Sequence, residues 1–269
     1  MEQDNGIVNL PVMGVNVHAV DISTAVDVIV EAATQRRPLG VSALAVHGVV
    51  LGSDDPELRY RINALELVVS DGQPVRWALN WLHGTNLSDR VAGPELMWQV
   101  CASAEKAGLP IFLFGSEDET LRLLETNLRS AFPTLIIAGS QASRFRAATE
   151  SEARADRDVV RASGARVVFV GLGCPRQEIW VYENRVDLSM PLLAVGAAFD
   201  YHAGLIRRAP RWMQRSGLEW LFRLMQEPRR LWRRYVLLNP RYIAGVLQQR
   251  LGLRTYDSNG TQPRTVRPG

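Results

Sequence analysis

Lysine is nearly missing from this chain of 269 residues: Lys106 stands alone, and every other basic side chain is arginine. Arginine forks onto phosphate oxygens through two N–H groups, whereas lysine offers only a point charge. Genomic base composition produces the same bias, so the bias alone assigns no function. Cysteine is scarce too. Cys101 and Cys174 make neither a disulfide framework nor a metal-ligand spacing. The four histidines form no H-x-x-x-H pair and no cluster with the cysteines. No metal site and no Ser-His-Asp triad is expected on these grounds. No apolar run approaches the ~18 residues needed to span a bilayer. The start, MEQDNG, is acidic and has no apolar h-region, so no signal peptide is expected. The expected location is cytoplasmic, with any membrane met from its surface.

What is present is charge segregation. Residues 205–269 hold 14 basic and three acidic residues, a net of +11, whereas residues 1–204 carry −8. An acidic body with a basic end points to a phosphate-bearing partner, either nucleic acid or an anionic membrane. The hydrophobic content of 46% and the length suit one large α/β domain with an appendage.

Short apolar runs alternate with helical patterns. Strands are expected at Val12–Val17, Leu39–Val46, Leu65–Ser70, Pro110–Phe114, 134–138, 166–170 and Pro191–Val195. Helices are expected from a Ser23 cap to about Gln35, from Asp55-Pro56 to Ala64, and over Gln73–Leu82, Glu95–Ala107, 117–131 and 150–163, with another starting at Pro175. This order predicts a Rossmann-like, mostly parallel sheet covered by helices on both faces. Past about Pro210 only helical patterns remain. The expected division is an α/β body over 1–204, a basic, aromatic helical appendage over 205–252 and a disordered tail over 253–269.

Ligands of open α/β sheets sit at the carboxyl ends of the strands. That rule selects Ala43–His47, Ser70–Gly72, Gly115-Ser116, Gly171–Gln177 and Gly196–Gly204. Gly171-x-Gly173 lets backbone N–H groups approach a phosphate, and the helix after Pro175 adds its N-terminal dipole. A tight strand-to-helix turn explains the same glycines, and Arg176 stands where a dinucleotide fingerprint has its third glycine. Asp71, before Gly72, is either a turn residue or a general base facing the crevice. Asp200 has a similar position and reads best as a loop-fixing carboxylate. Glu178 complements a helix dipole. A reaction that breaks a sugar–phosphate bond without metal must neutralise the leaving diphosphate with arginines and backbone N–H groups.

The segments SDGQPVRWAL, DRVAGPELM, IFLFGS, VGLGCPRQE, AFDYHAGLIRRAP and GLEWLFRLMQEPRRLWRRY occur in that order over most of residues 12–240. Together they resemble the WecG/TagA/CpsF family of bacterial glycosyltransferases. The resemblance implies an inverting, metal-independent transferase that needs no cofactor. It implies transfer of a sugar, N-acetylmannosamine-type or a related hexose, from a UDP-sugar to a polyprenyl-diphosphate-linked glycan for surface polymers. Its place would be the inner face of the cell membrane. The family's suggested base falls on Asp71. Its other site positions fall on Arg90, Gln177, Arg223, Arg230 and Arg233. Ala43 and Ala45, with His47 nearby, replace a Thr-x-Asn pair, and GSQASRF (139–145) replaces G-T-H-H-G-Y-F. Gly72, Gly115, Gly171, Gly173 and Asp200 complete the expected binding set.

Two other classes compete. A nucleic-acid-binding module would use the basic segment and its aromatics. However, Trp212, Trp220, Phe222, Trp232 and Tyr235 sit among leucines at helical spacing, which suits packing or a membrane interface, and no nucleic acid is expected. A dinucleotide-dependent oxidoreductase lacks the full glycine fingerprint. Self-association stays open. Truncation after Leu205 is expected to leave a folded body.

Overall fold

Uninterrupted apolar runs become the strands of one parallel sheet. The computed structural model describes residues 7–263. A hairpin, β1 (Asn9–Val12) and β2 (Val15–His18), comes first. It is followed by α1 (Ile22–Gln35), β3 (Leu39–Leu44), α2 (Val46–Asp54), α3 (Pro56–Asn63) and β4 (Leu67–Ser70). Next come α4 (Gln73–His83), α5 (Gly93–Ala107), β5 (Ile111–Gly115), α6 (Asp118–Ala131), β6 (Ile137–Gln141) and α7 (Glu150–Ala162). β7 (Val167–Gly171), α8 (Arg176–Leu188), β8 (Pro191–Ala194) and α9 (Ala198–His202) complete the α/β part. α10 (Arg211–Arg215), α11 (Glu219–Gln226) and α12 (Pro228–Arg250) follow.

The main sheet has six strands in the order β4-β3-β8-β7-β5-β6, and all neighbours are parallel. The Rossmann-like α/β expectation therefore holds. Strand residues alternate between two cores. Val41, Ile111, Leu113, Val167 and Phe169 face α1, α5 and α6. Leu44, Phe112, Phe114, Val168 and Val170 face the layer of α2, α3, α4 and α8. Because both faces are covered, the strands need no polar alternation.

The differences from the sequence reading have local causes. Val12–Val17 is not one strand: Met13 and Gly14, both at positive φ, fold it into the antiparallel hairpin. His18 Nδ1 accepts from the Val68 N–H at 2.9 Å and ties that hairpin to β4. Asp21, not Ser23, caps α1, accepting from Thr24 N–H at 2.8 Å. The strand at Leu39 ends at Leu44, and α2 begins at Val46. Gly48 and Gly52 lower helix propensity there, yet close packing needs them: a Cβ on Gly48 would lie 2.3 Å from Leu44 Cδ1. The strand expected at 134–138 forms three residues later, as β6.

The C-terminal helices are not a detachable unit. Tyr242 and Val246 of α12 belong to the second core with Val12, Met13 and Val15. Tyr242 Oη donates to Pro74 O at 3.1 Å, and Arg241 pairs with Asp54 at 2.8 Å. Gln249 accepts from Met13 N–H at 2.7 Å and donates to Pro11 O at 2.9 Å. Cutting the chain after Leu205 would remove these residues from the second core. The tail also departs from its expected disorder. Residues 254–263 run along α3, where Asn63 donates to Ser258 O at 2.7 Å and Thr261 N–H donates to Pro56 O at 2.9 Å. Its polar composition hides these backbone partners. Residues 264–269, like MEQDNG at the start, lie outside the described residues.

Gln249→Leu removes both bonds to the hairpin turn and should cost about 1–3 kcal/mol in urea unfolding. The neighbouring Gln248→Leu, on an exposed position, should change stability little. Equal losses for the two would sink the assignment of Gln249 as the clamp.

Candidate active site

The carboxyl ends of β4, β3, β8, β7 and β5 place Asp71-Gly72, Ala45, Gly196, Gly171–Gly173 and Gly115 along one edge of the sheet. Gly72 caps α4 at φ 147°, a conformation a side chain would strain. A Cβ on Gly171 would lie 2.7 Å from the Phe199 ring, so this loop approaches α9 closely. Gly115, at φ 104°, lies against the Gly171 backbone. Gly173, at φ 78°, has open space around its α-carbon and leads into α8.

Asp71 is half-buried just past β4, its N–H bonded to Leu44 O at 3.0 Å. Desolvation raises its pKa to about 6. Arg90, the Gly93 N–H and Arg223 oppose that rise, and the Glu219 carboxylate adds to it. Arg90 and Glu219 form an ion pair with little solvent exposure, so α11 is fastened to the loop before α5 directly beside Asp71.

The C-terminal arginines divide. Arg223 lies over the Tyr201 ring, 5.5 Å from its centroid, and bonds Glu227 at 3.2 Å; its Nε is buried without a hydrogen-bond partner. Arg230 is exposed, pairs with Glu227 at 3.0 Å, and its charge reaches Asp200. Arg233 is exposed and stacks on Trp232, 5.4 Å from its centroid. It does not join the group. Its neighbour Arg234 does: it is half-buried, its Nε is unpartnered, and its charge acts on His47 and Cys174. Helical register explains the exchange, because Arg234 shares a face with buried Leu231 and half-buried Leu238, whereas Arg233 lies with exposed Arg229 and Val236.

His47 lies in the first turn of α2. Desolvation first, and Arg234 second, hold its pKa down at about 4, so it is a neutral hydrogen-bonding group; its Nδ1 is buried without a partner. Ala43 packs against Gly93, and Ala45 leaves the α2 N-terminus without a side-chain cap. Gln177 donates to Glu178 at 2.9 Å, which fixes its amide and leaves Oε1 unpartnered. Glu178 is no exposed dipole partner. It is fully buried, also accepts from Ser42 Oγ at 3.2 Å, and desolvation raises its pKa. Asp200 sits on α9 rather than in a loop, and desolvation raises its pKa against the pull of Arg230 and Arg223. Residues 139–145 flank the Gly115 loop, where Ser143 N–H bonds Ser116 O at 2.9 Å and Arg144 pairs with buried Asp156 at 2.6 Å. Among the described residues, no three His, Cys, Asp or Glu side chains converge to hold a metal ion.

A base-like carboxylate therefore faces a glycine-lined crevice with buried, unpartnered guanidinium nitrogens. The glycosyl transferase WecG/TagA/CpsF family model matches residues 10–256, nearly the whole chain. The chain belongs to that family. It is a glycosyltransferase, and the match includes the hairpin and α12 as well as the sheet. Sequence reading missed Glu219, Arg234 and Tyr201 around this candidate site. Tyr201 and Glu219 lay within the quoted motifs, but nothing linear placed them beside Asp71.

Asp71 gives a pH-dependent stability test. Between about 4 and about 6 the folded chain holds a proton that the unfolded chain has released, so this group's contribution falls as pH rises. Asp71→Asn should raise stability at pH 7 by on the order of 1–3 kcal/mol, a gain that disappears near pH 4. Denaturant unfolding at the two pH values checks this. Destabilisation at pH 7 would mean that the arginines more than offset the desolvation.

Proposed function

We propose that this glycosyltransferase moves a sugar, N-acetylmannosamine-type or a related hexose, from a UDP-sugar to a polyprenyl-diphosphate-linked glycan, with inversion and without metal. The product belongs to surface polysaccharide synthesis. The observation that carries this reading is the desolvated Asp71 beside the Arg90–Glu219 pair, in reach of the charges of Arg223.

In this reading the acceptor hydroxyl gives its proton to Asp71 as its oxygen attacks the anomeric carbon. The bond from that carbon to the UDP oxygen breaks on the opposite side. Negative charge then builds on the leaving diphosphate, and Arg223, Arg234 and the glycine-loop N–H groups stabilise it. Donors already in place cost little reorganisation when the charge develops. Gln177 Oε1 and His47 Nδ1 are unpartnered and meet polar groups of the donor.

Membrane attachment fits the outer face of α12. Trp232, Val236, Ile243 and Leu247 are exposed there, with Arg229, Arg233 and Arg250 among them. Anionic lipid contributes about 1 kcal/mol per basic residue near the surface, and inserted apolar groups add to it. An apolar stripe among arginines suits a bilayer better than nucleic acid. No helix of the described residues is long and apolar enough to cross a membrane.

Asp71→Asn should lower turnover by about 10²–10⁴-fold while UDP-sugar binding persists. Wild-type turnover should rise through a pKa near the 6 of Asp71. Near-normal turnover of the variant would move the base to another group.

Separate alanine substitutions test the arginine assignment. Arg234→Ala and Arg223→Ala should each lower turnover about tenfold or more, whereas Arg233→Ala should leave it nearly unchanged. Turnover should also survive excess EDTA. Loss on chelation, restored by Mg²⁺ or Mn²⁺, would refute leaving-group stabilisation by arginine.

A further inference from the structure

A second cleft adjoins the crevice. Its volume is about 170 Å³, and Gln73, Asp89, Arg90, Arg211, Gln214 and Arg215 line it. It contains none of the glycine loops, nor Gln177, Arg223 or Arg234. Arg90 is the member it shares with the crevice, and Gln73 lies two residues past Asp71.

The cleft is built rather than incidental. Gln73, the first residue of α4, is 4% exposed and donates to Asp89 Oδ1 at 2.8 Å. The same Oδ1 accepts the Arg90 N–H at 2.8 Å, which fixes the loop. Gln73 Oε1 is buried without a hydrogen-bond partner. Arg211 and Arg215 stand one turn apart on α10, both exposed, and among the described residues neither has a carboxylate partner. Gln214 between them is held by Ala209 O at 2.7 Å. Two guanidinium groups thus stand over a floor of amide and carboxylate oxygen. Guanidinium groups take phosphate oxygens, and the amide and carboxylate oxygens take hydroxyls.

The surroundings favour an apolar tail on the ligand. Trp212, beside Arg211, is 64% exposed, and Trp77 of α4 is 42% exposed. The Trp77 ring lies against Gly217, where a Cβ would come within 2.5 Å of it, so the α10–α11 turn is seated on α4 at this point. A phosphate group with a sugar on one side and a hydrocarbon chain on the other matches cations, hydroxyl acceptors and exposed indoles together.

We propose that this cleft is the acceptor subsite, where Arg211 and Arg215 hold the diphosphate of a lipid-linked glycan and Gln73 and Asp89 meet its sugar hydroxyls beside Asp71. The inference rests on the reading of the chain as a transferase with a lipid-diphosphate acceptor. It adds that donor and acceptor phosphates occupy different arginine sets.

The test uses the full chain and two probes, farnesyl diphosphate and UDP, with each affinity measured by calorimetry. In Arg211→Ala/Arg215→Ala the dissociation constant for farnesyl diphosphate should rise about tenfold or more, while that for UDP stays within about twofold. A control of equal charge loss, Arg229→Ala/Arg233→Ala, should leave farnesyl diphosphate binding unchanged. Vesicles of phosphatidylglycerol should bind the cleft variant as they bind the wild-type chain, and should bind the Arg229→Ala/Arg233→Ala control more weakly. Unchanged farnesyl diphosphate affinity in the cleft variant overturns the proposal. Joint loss of farnesyl diphosphate and UDP binding also overturns it, because one phosphate site would then serve both. A loss confined to vesicle binding assigns the arginines to lipid headgroups and overturns it too. Failure of the wild-type chain to bind UDP would sink the donor reading, while the farnesyl diphosphate arm still decides the cleft.

Discussion

The Arg90–Glu219 ion pair joins the C-terminal helices to the sheet at the carboxyl end of β4. Arg90 comes from the loop before α5, and Glu219 is the first residue of α11. Their contact brings the C-terminal helices over the end of β4 and takes Asp71 partly out of water. A carboxylate in that position is harder to ionise, and a second carboxylate beside it makes ionisation harder still. Arg90 limits the rise by serving both. The carboxylate titrates near 6, close to the pH at which a base both accepts a proton readily and is mostly ionised.

The same seam explains the charge segregation. The arginines of the C-terminal helices do three different things. Arg223 and Arg234 turn inward with unpartnered Nε atoms, Arg241 fastens α12 to Asp54, and Arg229 and Arg233 face outward among apolar side chains. Buried guanidinium groups and desolvated carboxylates cost stability when no ligand is present. Packing of Tyr242 and Val246 into the second core and the Gln249 clamp on the hairpin offset that cost. The C-terminal helices that border the candidate site therefore also pack into the second core.

Much of the fold was legible because its signals are local. Runs such as LVV (67–69) and IFLF (111–114) are apolar at every position, as suits strands buried on both faces. Asp55-Pro56 announced α3, and Asp55 does cap it, accepting from Glu57 N–H at 2.9 Å. No helix was expected at α2, where Gly48 and Gly52 lower helix propensity and yet are needed for close packing. Of the candidate site, Asp71, Arg90, Gln177 and Arg223 were named from motifs, and the charges of Arg90 and Arg223 act on Asp71. The resemblance put the third appendage arginine on Arg233, whereas the charge that acts on His47 is that of its neighbour Arg234, and only the register of α12 separates the two.

The sequence by itself determined the α/β order, the glycine-bearing strand ends and the basic C-terminal end, because composition and periodicity act over a few residues. Tertiary structure alone decided that Glu219, distant in the chain, neighbours Asp71, that His47 is neutral beside Arg234, and that Glu178 is buried with Ser42 and Gln177. It also decided that residues 254–263 lie along α3 rather than free in solvent. The reason is physical: desolvation and pairing depend on which surfaces exclude water from one another, and that follows from how whole elements pack rather than from any short stretch of chain.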